Sequence, residues 1–268
     1  MPNIEEGAKK ESVMYLFKGE PSSGKSIAAA SFPNAYIFDM ESRIRSVAAY
    51  WIPRGKRDIT YDTFGYADYV KFDKKWDALI DASQMSKFPY DTVIIDTLTS
   101  ASDLLLHYVL KEKASENKGK KIAGIGVNSI EDYMVESSAL TEMILLLGKI
   151  KAKHKILVAH VIRTERQQQQ EGSTRQETVV TRALLTAGKK VAAKLPGYFD
   201  EIFHFEQRTQ AGRPKFVVNT MNTGEDFART TLSLPATLDI TNQSLFDLIK
   251  PSLQEVIDLG NPQVQTSK

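Results

Sequence analysis

The sequence predicts an α/β domain built on a mostly parallel sheet, and three observations carry that prediction. Short apolar runs of strand length recur, among them Val13-Met14-Tyr15-Leu16-Phe17, Ala35-Tyr36-Ile37-Phe38-Asp39, Thr92-Val93-Ile94-Ile95-Asp96 and Lys155-Ile156-Leu157-Val158-Ala159-His160. Stretches with helical spacing of apolar residues separate them, and strands alternating with helices mark a parallel sheet. The first run leads straight into Gly19-Glu20-Pro21-Ser22-Ser23-Gly24-Lys25-Ser26, a complete G-x-x-x-x-G-K-S phosphate loop, and Ile27-Ala28-Ala29-Ala30 then reads as a helix start. Strand, loop and helix in that order is the context in which this pattern binds phosphate.

At 268 residues the chain is one large domain or one domain with small additions. A hydrophobic fraction of 42% is ordinary for a globular core. No apolar run approaches the length of a membrane span, and the N-terminus has no signal-peptide pattern. Cysteine is absent, which excludes disulfides, thiolate metal sites and a cysteine nucleophile and fits a cytoplasmic protein. A formal charge of +2 argues for no particular partner; only a local concentration of charge would.

In chain order, residues 1–12 are polar and of mixed charge and read as a flexible arm. The first strand, the phosphate loop and a short helix closed by Pro33 come next, then a strand ending at Asp39-Met40-Glu41. Residues 43–65 read as irregular. Val70, Trp76, Leu79 and Ile80 give residues 66–86 an amphipathic helical pattern. Phe88-Pro89-Tyr90 breaks it before the strand that ends at Asp96. A helix over about Thr99–Lys111 gives way to Lys111–Lys121, where five lysines face two glutamates and small residues suggest a mobile loop. From Ile130 to about Lys151 a helix returns, with Met134, Leu140, Ile144, Leu145 and Leu147 as its core. The strand ending at His160 precedes a polar stretch over 163–182. A short helix at 188–194 leads to a strand at 201–206, a hairpin turn at Gln210–Pro214 and a strand at 215–219. Beyond Pro251 the chain is polar and reads as a tail.

The motif chemistry is specific in its parts. Backbone N–H groups within Gly19–Ser26, all but that of Pro21, with Ile27 behind them, would cradle phosphate oxygens, because the glycines permit angles that side chains forbid. Lys25 would reach the β- and γ-phosphates and the Ser26 hydroxyl a Mg²⁺ ion. The next helix points its positive end at the same anion. Asp96, ending an apolar strand, suits the metal shell beside Ser26, although many buried strands end in aspartate. Hydrolysis also needs a group to orient the attacking water. The residue after Asp96 is Thr97, so that group must come from elsewhere. Glu41 is the best candidate, against the alternative of a solvated surface glutamate. His160 ends its strand at the same edge, where it would touch the γ-phosphate or its water, or serve as an ordinary strand-end histidine.

Ile37–Glu41, Val93–Thr97 and Ile156–His160, in that order after a phosphate loop, resemble the RecA/Rad51 class of ATPase cores. Thr186–Glu201 strengthens the resemblance, which covers about residues 12–240. The chain is most similar to compact phage-encoded members linked to single-strand annealing and recombination. The resemblance implies a RecA-like P-loop NTPase core at 13–250, between the arm and a tail at 251–268, that binds ATP and Mg²⁺. It implies Glu41 as catalytic glutamate, Lys25 on the phosphates, Asp96 as metal aspartate and His160 as γ-phosphate sensor. It further implies single-stranded DNA as a partner, cytoplasmic location in a host cell, a single-strand-binding protein as a possible helper, and self-association with ATP at subunit interfaces. RecA itself has glutamine at the sensor position, which separates this chain from it.

The two DNA-facing loops implied by the resemblance fall where the residues already read as basic chain. Lys118, Lys120 and Lys121 lie in the first, and Arg163, Arg166, Arg175, Arg182, Lys189 and Lys190 in or after the second. Such groups track a phosphate backbone without reading sequence; singly, each is an ordinary solvated charge. Neither loop carries aromatic stacking residues. The family completes its site with a basic residue from the next subunit, and Arg229 in Asn222–Thr230 is the candidate, as a guanidinium stabilising the transferring phosphoryl group. Rival readings are an ATP-driven helicase or packaging-like motor, a nucleotide-gated binding module, and a small-molecule P-loop kinase whose lid the arginines after His160 would form.

Overall fold

The computed structural model describes residues 12–85, 87–115, 121–122, 125–126, 129–169, 176–185, 189–223 and 227–259. Four parallel strands form the centre: β1 (Val13–Gly19), β2 (Ala35–Asp39), β4 (Thr92–Asp96) and β7 (His154–Gln169). With β3 (Ile59–Thr63), β9 (Glu201–Gln210), β10 (Arg213–Asn219) and β11 (Thr237–Asp239), they give the order β11-β10-β9-β1-β7-β4-β2-β3. Pairing from β9 through β3 is parallel throughout; β10 and β11 add antiparallel at one side. β8 (Gln176–Leu184) pairs antiparallel with the far half of β7. This is the expected α/β class, a mostly parallel sheet flanked by helices with the phosphate loop between β1 and the helix that follows it. Among the described residues no helix is long and apolar enough to cross a membrane.

Within the core, β1, β2, β4 and residues 156–159 of β7 are largely apolar because both faces are covered. In β1, Leu16 packs into one core while Tyr15 and Phe17 pack into the other. β4 divides likewise, Val93 and Ile95 against Ile94, as does β7, Leu157 and Ala159 against Ile156 and Val158. Three helices cover the first face: α3 (Tyr69–Gln84), α4 (Leu98–Ser115) and α5 (Ile130–Lys149). The second is covered by α1 (Lys25–Ala29), α2 (Ile44–Trp51) and α7 (Leu245–Leu259). Each large apolar side chain so buried contributes about 1.5–3 kcal/mol.

Several expectations need correcting. Residues 43–65 are ordered. α2 buries Val47 and Trp51, one helical turn apart, and β3 extends the sheet. Trp51 Nε1 donates to the Ile27 carbonyl at 2.9 Å, tying α2 to the phosphate-loop helix. Val70, Met134 and Leu145 are exposed rather than core; Phe72 and Met143 take core positions instead. α4 runs to Ser115, four residues further than expected. The polar stretch after His160 is strand, because β7 and β8 form one antiparallel ribbon. Thr178-Val179-Val180-Thr181 gives that ribbon the β-branched residues a strand favours. The tail does not begin at residue 251: Pro251 sits inside α7. Leu245, Ile249 and Leu253, four residues apart, bury one stripe and carry the helix past the proline. Residues 1–11 and 260–268, most of the expected arm and half of the expected tail, lie outside the described residues.

Among the described residues, shorter elements are the hairpin of β5 (Lys121–Ile122) and β6 (Ile125–Gly126), α6 (Lys189–Lys194), and 3-10 turns at Ile52–Arg54 and Leu195–Tyr198. The turn expected at Gln210–Pro214 is present, with Ala211 and Gly212 both at positive φ.

Asp39 links β2 to α2. Its Oδ1 accepts from the Arg43 amide and its Oδ2 from the Ile44 amide, both at 3.0 Å, so it caps α2; Oδ2 also accepts from Thr63 Oγ1 at 3.2 Å. Asp39→Ala should cost about 1–2 kcal/mol, the scale of a lost cap. Urea denaturation measures it, and an unchanged midpoint would remove Asp39 from this role.

Candidate nucleotide site

Register assembles the site. Gly19, the last residue of β1, pairs with His160 in β7. Asp96, the last of β4, pairs with Asp39 on one side and Val158 on the other. The phosphate loop, Glu41 just past β2, Asp96 and His160 therefore meet at the carboxyl edge of the sheet, where open parallel sheets bind ligands.

Backbone angles and close approach shape the loop. Ser22 and Gly24 have φ of 64° and 89°, which Gly24 adopts without strain. A Cβ on Gly19 would collide with the Phe205 carbonyl oxygen, so only glycine lets the loop leave β1 beside β9. Ser23 Oγ donates to the Glu20 carbonyl at 2.7 Å. Lys25 is buried, and its Nζ donates to the carbonyls of Gly19 (2.9 Å) and Glu20 (2.7 Å) and to Ser23 Oγ (3.3 Å). Burial lowers its pKa to about 8, against the upward pull of Asp96, Glu41 and Glu20. α1 has no first-turn carboxylate to compete for an incoming anion.

Asp96 fits a cation. Burial raises its pKa to about 6, with Glu41 and Asp39 adding repulsion and a Ser26 hydrogen bond and Lys25 opposing. Its Oδ1 is buried without a hydrogen-bond partner among the described residues, and the Ser26 hydroxyl lies against the same carboxylate. An unpaired buried carboxylate oxygen is costly. One carboxylate, one hydroxyl and substrate phosphates make the sparse ligand set that Mg²⁺ takes. Among the described residues no group of three metal-ligating side chains offers an alternative.

Glu41 is heavily engaged. Its Oε1 accepts from His160 Nε2 at 2.9 Å, Thr97 Oγ1 at 3.0 Å and Ser100 Oγ at 3.2 Å. Oε2 pairs with the exposed Arg43 at 3.3 Å. These bonds hold the Glu41 pKa down at about 2, chiefly through His160, with Thr97 helping and burial opposing. Oε1 is full. Oε2 shares only a surface ion pair, worth at most about 1 kcal/mol, and is the oxygen open to a water. Sequence reasoning found Glu41 and His160 but missed Thr97, Ser100 and Arg43. Thr97 also caps α4, accepting from the Ser100 amide at 3.3 Å. Hydroxyls in the first helical turn after a strand-end aspartate were the signal available.

A cleft of 510 Å³ runs from these residues to an apolar end, a size suited to a small-molecule ligand. Ile27, Tyr50, Phe216, Ile240 and Leu245 line that end, with Gln243 and Thr241 as polar groups. None of these walls beyond Ile27 was expected from sequence.

The remaining candidates stand elsewhere. Arg229 pairs its backbone with Ile202, near the start of β9, in both directions. Its guanidinium donates to the Phe199 carbonyl and, at 3.2 Å, to that of Pro196. It is absent from the cleft lining and is committed to its own chain. Arg163 and Arg166 lie in β7, Arg182 in β8, Lys121 in β5, and Lys189 and Lys190 open α6. Lys118, Lys120 and Arg175 lie outside the described residues. The ribbon register sets Arg163 directly opposite Arg182.

A family model described as an AAA domain matches residues 11–232. No curated protein matches the sequence. Among solved structures, the flagellar accessory protein FlaH of Methanocaldococcus jannaschii is 11% identical over 85% of this chain and 84% of that chain, with a TM-score of 0.38. A KaiC-like protein of Pyrococcus horikoshii is 12% identical over 85% and 88%, with a TM-score of 0.37. At these scores neither structure carries an argument about this chain.

The geometry of Arg229 and Glu41 leads to two expected outcomes. Arg229→Ala should lose about 1–2 kcal/mol of stability through its carbonyl partners and leave ATP affinity unchanged, read by urea denaturation and nucleotide titration; weakened ATP binding in a fully stable variant would contradict this. Glu41 has a folded pKa below its unfolded value of 4.5, so its contribution to stability is complete above 4.5 and is lost as pH falls toward about 2. Stability of Glu41→Gln should therefore vary less with pH across that window than the parent's, and parallel acid-denaturation curves would refute the assignment.

Proposed function

Because this chain belongs to the AAA domain family of P-loop ATPases, we propose that it hydrolyses ATP with Mg²⁺ and couples that reaction to single-stranded DNA, as a compact phage-type recombination or annealing protein. The observation that carries the coupling is the contact between Glu41 and His160, since β7 runs unbroken from His160 into the arginine-bearing ribbon. The phosphate loop and Lys25 bind and orient the triphosphate. Ser26 and Asp96 would hold Mg²⁺, which supplies charge neutralisation on the β- and γ-phosphates. The apolar end of the cleft takes the base between Ile27, Tyr50, Phe216 and Ile240.

Glu41 stays ionised and acts by orienting water through Oε2. A carboxylate with so low a pKa is a weak base, so its work is positioning more than proton abstraction. His160 Nε2 donates to Glu41, and its Nδ1 is buried without a partner among the described residues. Movement of β7 therefore changes the donor count on Glu41.

The ribbon is the proposed DNA element. The register sets Arg163 opposite Arg182, and a pair of arginines on one ribbon suits a nucleic-acid phosphate backbone. Lys118, Lys120, Lys121, Arg166, Arg175, Lys189 and Lys190 add charge along the chain on either side. Self-association with ATP at subunit interfaces and a single-strand-binding partner complete this reading, while the guanidinium of Arg229 is occupied by carbonyls of its own chain.

The test is ATP turnover with and without single-stranded DNA. The parent should be stimulated by DNA. Glu41→Gln should bind ATP and turn over about 10²-fold more slowly. Arg163→Ala with Arg182→Ala should keep basal turnover, lose stimulation and reduce the salt slope of DNA binding by about one unit per lost contact. Turnover indifferent to DNA, with a small molecule phosphorylated instead, would favour a kinase.

A further inference from the structure

Glu136 on α5 is a fully buried carboxylate that the reaction chemistry does not use. Its Oε1 accepts from Ser102 Oγ on α4 at 2.5 Å, and its Oε2 from Ser137 Oγ on its own helix at 3.1 Å. Burial raises its pKa, and the carboxylate of Asp103 adds to the rise. The surroundings are apolar: Ala101, Leu104 and Leu105 from α4 and Leu140, Met143 and Ile144 from α5 share one core. A carboxylate is expensive in such a place, and a leucine would pack there without that cost.

What the hydrogen bond adds is direction. Apolar contact between two helices is non-directional and tolerates small sliding and rotation. A buried donor–acceptor pair does not, because a displaced helix leaves both groups unpaired. Ser102 lies two residues beyond Ser100, whose hydroxyl donates to Glu41, and five beyond Thr97, which donates to Glu41 and caps α4. The rotation and height of α4 thus decide where two of the three donors on Glu41 Oε1 stand.

We propose that Glu136 is a positioning residue: through Ser102 it fixes α4, and α4 in turn places Thr97 and Ser100 on Glu41. The proposal rests on the reading of Glu41 as the reaction carboxylate. It assigns no contact with nucleotide to Glu136, and it separates the two hydroxyl partners. Ser102 transmits position between helices, whereas Ser137 only satisfies an oxygen within α5.

Steady-state ATP turnover on the full chain tests this. Ser102→Ala should lower kcat about tenfold while KM for ATP and the affinity for a fluorescent ADP stay within about twofold, as a misplaced reaction group requires. Ser102→Thr, which keeps the hydroxyl, should recover most of the rate. Ser137→Ala should turn over like the parent. The double variant Ser102→Ala with Glu136→Met replaces the buried polar pair by apolar groups and keeps the protein folded even if the single variant fails. It should melt no lower than the parent and still be slow. Parental kcat in that double variant, or equal losses from Ser102→Ala and Ser137→Ala, would overturn the proposal. Absent turnover in the parent itself would refute the ATPase reading and this one with it; intact parental turnover with an unslowed double variant refutes only the positioning role.

Discussion

The site depends on the register of parallel strands. Gly19 lies level with His160, and Asp96 level with Asp39, so four chain segments far apart in sequence deliver their groups to one edge. A slip of one residue would invert every side chain on the strand that moved. Burial on both faces forbids that slip: Tyr15 and Phe17 would have to exchange cores with Leu16. The chemistry at the edge is therefore held by packing several residues below it.

That edge gathers charge of one sign. Asp39, Glu41 and Asp96 converge near Lys25, and each is handled differently. Asp39 accepts from two amides at the start of α2. Glu41 is surrounded by donors and driven to a low pKa, while Asp96 keeps a buried oxygen without a partner among the described residues and is driven to a high one. Two neighbouring carboxylates are thus pushed in opposite directions by their surroundings. Lys25, desolvated but paired with loop carbonyls, supplies the positive charge both act around.

His160 and one half of the ribbon belong to one strand. His160 lies mid-strand, with β7 continuing nine residues past it, so the strand that touches Glu41 is also the one that forms the ribbon. α4 reaches the same carboxylate from the other side through Thr97 and Ser100. Glu41 is thus held between a strand that leads to the arginines and a helix locked to α5.

The sequence by itself determined the parallel α/β core and the phosphate loop, because apolar period, strand-end acids and glycine spacing are local signals. It also named Glu41, Asp96 and His160, which the strand ends then brought together. Tertiary structure decided the rest. Thr97 and Ser100 look like ordinary hydroxyl residues until α4 turns them toward Glu41. The resemblance implied Arg229 as the residue that reaches a neighbour's nucleotide, but the carbonyls that bind its guanidinium come from residues about 30 positions earlier. Pro251 read as a helix end, but packing of Leu245, Ile249 and Leu253 outweighs one missing hydrogen bond. The polar run after His160 became strand because each half had the other to pair with. In each case the deciding partner is distant in sequence, and a hydrogen bond or buried contact between distant residues leaves no periodic trace in either segment.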